Sequence, residues 1–371
     1  MTYLWQLKQW PTLRWNSEVL LPLIGRARLA QGKLLTKVGS LGFKLDREAQ
    51  AAILTEEAIT TSAIEGERLS RDSVRSSVAR HLGLPAAGLA AANRSVDGLV
   101  DVLLDATQRY ETPLTTARLK RWQAALFPTG YSGLRKIRIG QWRGSEQAMQ
   151  VVSGAVGRER VHYEAPPGRR VEQEMKRFLS WWRASTTRED GLLRSGLAHL
   201  YFVTVHPFED GNGRIARALT DMALAQDERL PTRYCSLSSQ VMEERNTYYR
   251  VLEACQKGDG DVTPWLQWYV GCYTRAVERA ERLLADVLAK ATFWQTHSQV
   301  GLNARQRKVI NRLLDAGKGG FQGGLTTRKY VAMAKVSRAT AFREISDLVE
   351  KGLLAQNPAR GRSASYEVKW S

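Results

Sequence analysis

Apolar positions recur at helical spacing along most of the chain and predict a mainly α-helical protein. Leu20, Leu23 and Ile24 form one such stripe, and Leu219 and Met222 lie on another. Since residues three or four positions apart share one face of a helix, each stripe predicts a helix with one buried face. The predicted helices cover about 16–34, 46–60, 71–82, 91–110, 116–127, 171–183, 192–205, 214–226, 241–255 and 263–296.

Polar residues at the starts of three of these helices predict their caps. We expect Asn16 or Ser17 to cap the first helix, Asp46 the second, and Thr263 the long helix that ends near residue 296. The segment ahead of the first helix is aromatic and irregular. Its tryptophans are expected to anchor it on the helical body: Trp5, Trp10 and Trp15.

Between about residues 130 and 168 the helical period is lost. Val151–Gly154 and Arg160–Glu164 have the composition of short strands, with Gly157 between them. The pattern predicts a hairpin, closed by Ala165–Pro167, beside the helices. His162 lies on the second strand, where a packed or exposed residue is a more ordinary interpretation than a second catalytic histidine.

From about residue 301 the pattern predicts a separate unit of three helices and a hairpin. Asn303 and Gln306 form a capping box at the first helix, and a glycine-rich loop follows it. Helices over 327–334 and 337–351 and a hairpin-like stretch over 353–366 complete the pattern. This arrangement resembles winged helix-turn-helix domains.

The charge of the chain changes the expected partners. The net charge is +18 and the pI is near 10.0. This balance favours nucleotides, nucleic acid or acidic protein surfaces, although a generally basic surface would give the same value. Residues 301–371 are predicted either to contact DNA or to serve in dimerisation or protein docking. Their basic side chains lie on or near the predicted recognition helix and at the hairpin tip: Arg338, Arg343, Lys351, Arg360 and Arg362.

Composition limits the class of protein further. A length of 371 residues with 43% hydrophobic residues allows two or three domains with real cores. Cys235, Cys255 and Cys272 are far apart and odd in number, which fits a reducing compartment. The chain shows no signal peptide and no apolar run long enough for a membrane span. We therefore expect a cytoplasmic protein.

The chemistry is concentrated between the helices predicted over 192–205 and 214–226, where the chain reads His-Pro-Phe-Glu-Asp-Gly-Asn-Gly-Arg-Ile-Ala-Arg. The free amides of Gly211–Gly213 at a helix start form an anion site. Arg214 and Arg217 share one helix face and can grip neighbouring phosphate oxygens. Asp210 can hold Mg²⁺, and His206 can accept a proton. Together these groups predict transfer from a nucleotide phosphate.

Each of these residues alone has an ordinary structural explanation. A histidine before proline is commonly a helix end, and two arginines on one face are commonly solvated. The glycines also satisfy a loose dinucleotide-binding pattern, but no predicted strand precedes them. The P-loop pattern Gly-x-x-x-x-Gly-Lys-Ser/Thr is absent from the sequence. The complete set in register favours a catalytic site.

The stretch over 206–217 resembles the signature of Fic-domain proteins, His-Pro-Phe-x-Asp/Glu-Gly-Asn-Gly-Arg-x-x-Arg, at every defined position. The resemblance implies transfer of AMP from ATP to a protein Ser, Thr or Tyr hydroxyl, with release of pyrophosphate. It implies these roles: His206 as base, Phe208 as loop anchor, Asp210 for Mg²⁺ (or Mn²⁺), Gly211, Asn212 and Gly213 on the α-phosphate, and Arg214 and Arg217 on the β- and γ-phosphates.

Two more segments resemble Fic proteins. Thr61–Glu67 is similar to their inhibitory motif, Ser/Thr-x-x-x-Glu-Gly/Asn, in which the glutamate, here Glu65, reaches the second arginine of the signature and displaces the γ-phosphate. The ordinary reading, a helix end with Gly66 as left-handed cap, can hold at the same time. Asn246 and Tyr249 are similar in position to residues that hold adenine and ribose, although aromatic helix residues are commonly core.

The hairpin over 151–164 resembles the Fic flap, which holds the target segment by strand addition, and Gly140-x-Trp142-Arg143 resembles a family Gly-x-x-Arg. We expect an N-terminal inhibitory region over 1–90, a Fic catalytic domain over 91–298 and a winged helix over 301–371. We expect a homodimer that adenylylates a protein target docked on the flap. Alternatives are a DNA-binding regulator that senses nucleotide, and a Fic enzyme that transfers another phosphate-linked group or removes AMP.

Overall fold

The computed structural model describes residues 2–39, 43–84, 93–144, 148–153, 160–314, 316–317, 320–358 and 364–370. These residues form fourteen α-helices and three two-stranded antiparallel sheets, which confirms the mainly α class. The chain divides into two compact units, one of Met1–Gly39 with Arg47–Ala280, and one of Ser40–Asp46 with Glu281–Ser371. Among the described residues, no helix is long and apolar enough to cross a bilayer.

The first unit contains most of the helices and two small sheets. Its helices are α1 (Ser17–Gly39), α2 (Phe43–Ile64), α3 (Arg71–His81), α4 (Arg94–Gln108), α5 (Thr116–Leu126), α6 (Gly168–Ser185), α7 (Gly191–Val205), α8 (Asn212–Glu228), α9 (Leu237–Glu243), α10 (Arg245–Gln256) and the first part of α11 (Thr263–Thr296). Its strands pair as β1 (Tyr131–Ser132) with β2 (Arg135–Lys136), and β3 (Ala148–Ser153) with β4 (Arg160–Pro167).

Two buried helices, α7 and α8, lie at the centre of this unit. Every residue of α7 from Leu192 to Val205 is buried, and α8 is buried from Ile215 to Ala225. The two helices pack along each other, and α4 and α5 pack against α8. A helix buried on all sides is apolar all round, which explains the long apolar run that precedes His206 in the sequence.

Two of the three tryptophans ahead of α1, Trp5 and Trp10, anchor that segment as predicted, whereas Trp15 is only partly buried. Trp5 and Trp10 are buried. Trp5 donates from Nε1 to the Glu164 carbonyl at 2.8 Å, and Trp10 donates to the Glu174 carboxylate at 2.9 Å. The segment is therefore held on β4 and α6.

Of three sequence predictions about helix ends, the structure agrees with one and differs from two. Asn16 caps α1, since its Oδ1 accepts from the amides of Glu18 and Val19 at 3.0 and 3.3 Å. The predicted cap of α11 was wrong: Asp261 accepts from the Thr263 amide at 2.9 Å. The helix expected over 241–255 is two helices, α9 and α10, separated at Glu244.

Tertiary contacts explain that break. The Glu244 carboxylate accepts from Arg275 at 2.6 and 2.7 Å and from Trp268 at 3.0 Å. These contacts from α11 fix Glu244 at φ −103° and ψ 21°, outside helical values. The three cysteines are buried and unpaired.

The second unit contains the end of α11 followed by α12 (Ala304–Leu314), α13 (Thr327–Ala334), α14 (Arg338–Glu350), β5 (Leu354–Gln356) and β6 (Tyr366–Val368). The predicted capping box is confirmed, with Asn303 and Gln306 bonded reciprocally at 3.1 and 2.9 Å. Leu325 bonds to Tyr366 through both backbone groups, which adds a bridge beside the hairpin. Gly157, Arg360 and Arg362 lie outside the described residues.

Candidate active site

The loop between α7 and α8 begins and ends in the left-handed region. His206 terminates α7 at φ 50°, and Gly211 precedes α8 at φ 87°. A side chain at position 211 would also place its Cβ 2.9 Å from the Phe127 ring, so the position requires glycine. Phe208 is fully buried between these ends, with its ring 4.8 Å from that of Trp142, and it anchors the loop as the resemblance implies.

Asn212 closes this loop with its side chain. Its Oδ1 accepts from the Phe208 amide at 2.9 Å, and its Nδ2 donates to the Phe208 carbonyl at 2.8 Å. The side chain is 2% exposed. The structure thus gives this residue a positioning role, and only its second Nδ2 hydrogen and its backbone amide are left for the α-phosphate contact that the resemblance implies.

His206 is held as a neutral imidazole. Its Nδ1 donates to the Val203 carbonyl at 3.3 Å, so Nε2 carries the free lone pair in that tautomer. Burial, followed by the nearby Arg143 guanidinium, lowers the pKa of His206 to about 4, against smaller opposite effects of Glu65 and Asp210. A proton acceptor is therefore present at neutral pH, beside two carboxylates.

Arg143 positions the loop between α7 and α8. Its Nε donates to the His206 carbonyl at 2.6 Å, and its backbone amide donates to the Pro207 carbonyl at 2.9 Å. Its Nη2 donates to the Pro166 carbonyl at the end of β4. The sequence marked this arginine only by its resemblance to a family position; the structure shows that it ties the end of the β3–β4 hairpin to the loop.

Two buried arginines line the start of α8. Arg214 and Arg217 are 8% and 3% exposed. Arg217 donates to the Glu65 carboxylate at 2.8 Å, to Thr61 Oγ1 at 2.6 Å and to the Thr61 carbonyl at 2.8 Å. Among the described residues, Arg214 Nε and Arg217 Nη1 have no hydrogen-bond partner although they are buried. Buried guanidinium donors without partners indicate a site that can accept a further anion.

Glu65 lies directly on the amino end of α8. A Cβ added to Gly213 would lie 2.0 Å from Glu65 Oε1, so the carboxylate fills the space that the missing side chain leaves. The positive end of the helix dipole and Arg217 both favour a negative charge at this point. The structure therefore brings Glu65 to the anion site that the sequence predicts, as the inhibitory resemblance implies.

The position of Asp210 suits a ligand of a metal ion that a bound phosphate would also coordinate. Its Oδ1 accepts from the Gly211 amide at 2.5 Å, its Oδ2 accepts from the Ser132 hydroxyl, and its side chain is 39% exposed. No group of three or more His, Cys, Asp or Glu side chains could hold a metal within the described ranges. One carboxylate suffices for Mg²⁺, because Mg²⁺ keeps waters and takes its other ligands from phosphates.

Two anchors hold α2 in place. Near its middle, the buried Glu57 carboxylate accepts from the Ser236 hydroxyl at 2.7 Å and from the Ser238 amide at 3.2 Å. At its end, the Ile64 carbonyl accepts from Arg245 at 3.0 and 3.1 Å and from the Tyr249 hydroxyl at 3.3 Å. Tyr249 thus contacts the end of α2.

Asn246 is exposed on α10, whereas the arginines of α8 are buried. His162 does not serve as a second base at the loop: its Nδ1 lies 2.7 Å from a Glu253 carboxylate oxygen. The sequence predicted a packed or exposed strand residue, and the structure adds that it pairs with Glu253 on α10.

Sequence reasoning missed two side chains at the site. Glu67 bonds to Arg214 at 2.9 Å, and Ser132 bonds to Asp210. Glu67 lies two positions after Glu65, and that spacing was a usable signal. Ser132 is 78 residues from its partner in a short irregular segment, where the sequence carries no signal.

A helix amino end, two buried arginines, a neutral imidazole and an exposed carboxylate define a binding site for phosphate esters with a base beside it. The comparisons with known proteins agree with this class. Residues 113–224 match the Fic/DOC family, and residues 3–84 match a domain of unknown function, DUF4172. Residues 113–224 of the chain therefore form a Fic/DOC domain.

Curated relatives are similar over part of the chain. Protein adenylyltransferase Fic of Drosophila yakuba is 26% identical over 156 residues, which cover 40% of this chain and 30% of that protein. Protein adenylyltransferase fic-1 of Caenorhabditis elegans is 33% identical over 90 residues, which cover 24% of this chain and 16% of that protein. The chain thus spans less than a third of the length of these relatives.

Solved structures show the same fold. A Fic family protein from Desulfovibrio desulfuricans G20 aligns with a TM-score of 0.54 at 19% identity, over 95% of this chain and 96% of that one. Fic-1 from C. elegans aligns with a TM-score of 0.51 at 19% identity, over 74% of this chain and 75% of that one.

Proposed function

We propose that this protein is an autoinhibited adenylyltransferase that moves AMP from ATP to a Ser, Thr or Tyr hydroxyl of a protein target. The observation that carries the proposal is the neutral His206 imidazole beside an anion site at the start of α8. An anion site alone would bind a nucleotide, whereas the base gives it a way to activate a hydroxyl nucleophile.

The residues divide the work of the transfer. The target hydroxyl oxygen attacks the α-phosphorus while its proton passes to His206 Nε2. The bond from the α-phosphorus to the bridging oxygen breaks, and pyrophosphate leaves with its charge held by Arg214 and Arg217. The backbone amides of Asn212 and Gly213 hold the α-phosphate oxygens, which gain charge as the reaction proceeds, whereas the Gly211 amide donates to Asp210. Asp210 would hold Mg²⁺ or Mn²⁺, which neutralises phosphate charge when bound.

The same geometry supports autoinhibition. The Glu65 carboxylate is bonded to Arg217 Nη2 at the amino end of α8, so it competes with a phosphate for one buried guanidinium. The β3–β4 hairpin, tied to the catalytic loop through Arg143, is the proposed docking place for the target segment by strand addition.

Intact mass of protein incubated with Mg²⁺ and ATP tests the proposal. We expect the Glu65→Gly protein to gain one or more AMP units, the wild type to gain fewer or none, and Glu65→Gly/His206→Ala to gain none. A Glu65→Gly protein that binds ATP but does not modify itself or any added protein would contradict adenylyl transfer and favour a nucleotide sensor.

A second candidate function, DNA binding by a winged helix in the last unit, is favoured by the charge on α14. Its exposed side chains near the start include Arg338, Phe342 and Arg343, with Phe342 60% exposed. Two of its three acidic residues are paired, Glu344 with Arg305 and Asp347 with Lys351, both at 2.6 Å, and the third, Glu350, lies at the other end of the helix. This leaves an uncompensated basic face of the kind that contacts phosphates.

Fluorescence anisotropy with a labelled DNA duplex tests this second function. We expect binding that weakens steeply with salt and is lost when Arg338 and Arg343 are both replaced by Ala. Binding that survives this double replacement would place the contact elsewhere.

A further inference from the structure

We propose that Glu67 is a second inhibitory residue, which occupies the phosphate position on Arg214 while Glu65 occupies that on Arg217. The inference rests on the proposed function and extends its regulation. Glu67 Oε2 lies 2.9 Å from Arg214 Nη1, and the Arg214 side chain is only 9% exposed. The next carboxylate, that of Asp210, is 3.9 Å from Arg214 Nη2. Glu67 is therefore the closest anion on this arginine.

One turn carries both carboxylates. At the end of α2 the Glu67 amide donates to the Ser62 carbonyl and the Gly66 amide to the Ala63 carbonyl, both at 3.0 Å. These are the two bonds of a Schellman motif, and Gly66 takes its left-handed position at φ +85°. The motif sets the residues before and after glycine beside α8, where one faces each arginine. The two glutamates that flank Gly66 thus pair one to one with the two arginines on α8, Glu65 with Arg217 and Glu67 with Arg214.

The two contacts differ in strength. The Glu65 side chain is 33% exposed and its arginine is also held by Thr61, whereas Glu67 is 44% exposed. Solvent screens the outer pair more, so removing Glu67 should release less inhibition than removing Glu65. Arg214 is also held against the Phe127 ring, 4.8 Å from its centroid, and so stays in place when Glu67 is removed. A preformed guanidinium then becomes available to phosphate.

Because both carboxylates lie on one turn, we expect Glu65 and Glu67 to leave the two arginines together. When ATP phosphates contact only one of the two arginines, the other arginine remains paired with its carboxylate. That remaining ion pair keeps the Schellman turn, and with it both carboxylates, in place. Single replacements should therefore release the inhibition in part, and the double replacement should release more than either.

ATP affinity, measured by calorimetry on the full chain, tests the assignment independently of transfer. We expect Glu67→Ala to lower the Kd for ATP about two- to fivefold, which corresponds to a partly exposed ion pair. Glu65→Gly should lower it further and the double variant most. Glu56→Ala is the matched control, because Glu56 lies on the same helix and pairs at 2.9 Å with Arg71, outside the site. Thermal unfolding checks that each variant is folded.

The outcomes separate the two proposals. A lower Kd for Glu67→Ala with faster AMP transfer supports both. A lower Kd with no transfer by any variant supports the role of Glu67 and contradicts adenylyl transfer. A Kd and a transfer rate of Glu67→Ala that both equal those of Glu56→Ala, in a series where Glu65→Gly does transfer AMP, would overturn the role of Glu67.

Discussion

Replacing Gly66 by Ala should activate the enzyme without touching a single charged group of the site. Gly66 lies at φ +85°, and a Cβ added there meets no atom within 4 Å, so the added methyl group causes no clash. The cost is conformational only. Holding an alanine in the left-handed region costs about 1–2 kcal/mol. The penalty applies while the turn is formed and disappears once the turn opens.

This penalty sets the size of the effect. A cost of about 1–2 kcal/mol shifts the balance between the seated and the open turn about 5- to 30-fold toward the open form. Where the wild-type turn is mostly seated, the rate of AMP transfer should rise by the same factor. Asn enters the left-handed region more readily than Ala, so Gly66→Asn should activate less.

The assay is the initial rate of AMP incorporation, followed by mass, at an ATP concentration well below its Kd, where the carboxylates still compete with phosphate. Gly25→Ala controls for the Gly to Ala change, because Gly25 lies inside α1 and its added Cβ also meets nothing. If Gly66→Ala transferred AMP no faster than Gly25→Ala, while Glu65→Gly was fast, the seating of the carboxylates would not depend on this turn and our reasoning would fail.

Three further predictions concern His206 in the loop between α7 and α8 and Arg217 on α8. His206→Ala in the Glu65→Gly background should abolish AMP transfer and leave the Kd for ATP nearly unchanged; a residual rate above a tenth of the parent would refute the base assignment. Because the pKa of His206 is lowered to about 4, the base form persists as pH falls and is lost only toward that value. The transfer rate should therefore change little between about pH 7.5 and 5.5, where an imidazole with the ordinary pKa of about 6.5 would become mostly protonated; a rate that fell tenfold would contradict the shift. Arg217→Ala should weaken ATP binding about tenfold or more, since it removes a buried charge-assisted contact, and calorimetry would contradict this role if the Kd stayed the same.

The parts of the site that the sequence predicted lie close together in the chain. The stretch over 206–217 could be assigned because its loop joins two apolar helices and its residues act on their immediate neighbours. Even there, the bonds of Asn212 to Phe208 show that a side chain expected to hold phosphate also holds the backbone. Asn246 and Tyr249 were placed on a helix by resemblance, and their role in nucleotide binding stays a prediction.

The parts that the sequence did not predict depend on contacts between distant segments. Glu67 and Arg214 are 147 residues apart, and although the position of Glu67 two residues after Glu65 was a usable signal, only the three-dimensional arrangement shows which arginine it contacts. The break at Glu244 has the same origin, because the local helical pattern continues through it and only contacts from α11 interrupt it. Side-chain pairing across elements requires the three-dimensional arrangement, whereas periodicity and caps require only neighbours.

The last carbonyl of α2 has a consequence for how ATP and the inhibitory segment influence each other. The Ile64 oxygen is capped by Arg245 and by the Tyr249 hydroxyl. A nucleotide whose ribose bonded to Tyr249 would remove the hydrogen bond from Tyr249 to the Ile64 carbonyl. The end of α2 and the nucleotide would then compete for the same tyrosine. Thermodynamic linkage makes such an antagonism reciprocal: the factor by which the cap weakens ATP binding is the factor by which ATP weakens the cap. Amide hydrogen exchange over residues 62–67 would then report nucleotide occupancy, and a protease or partner protein that recognises the frayed end of α2 would respond to the ATP concentration.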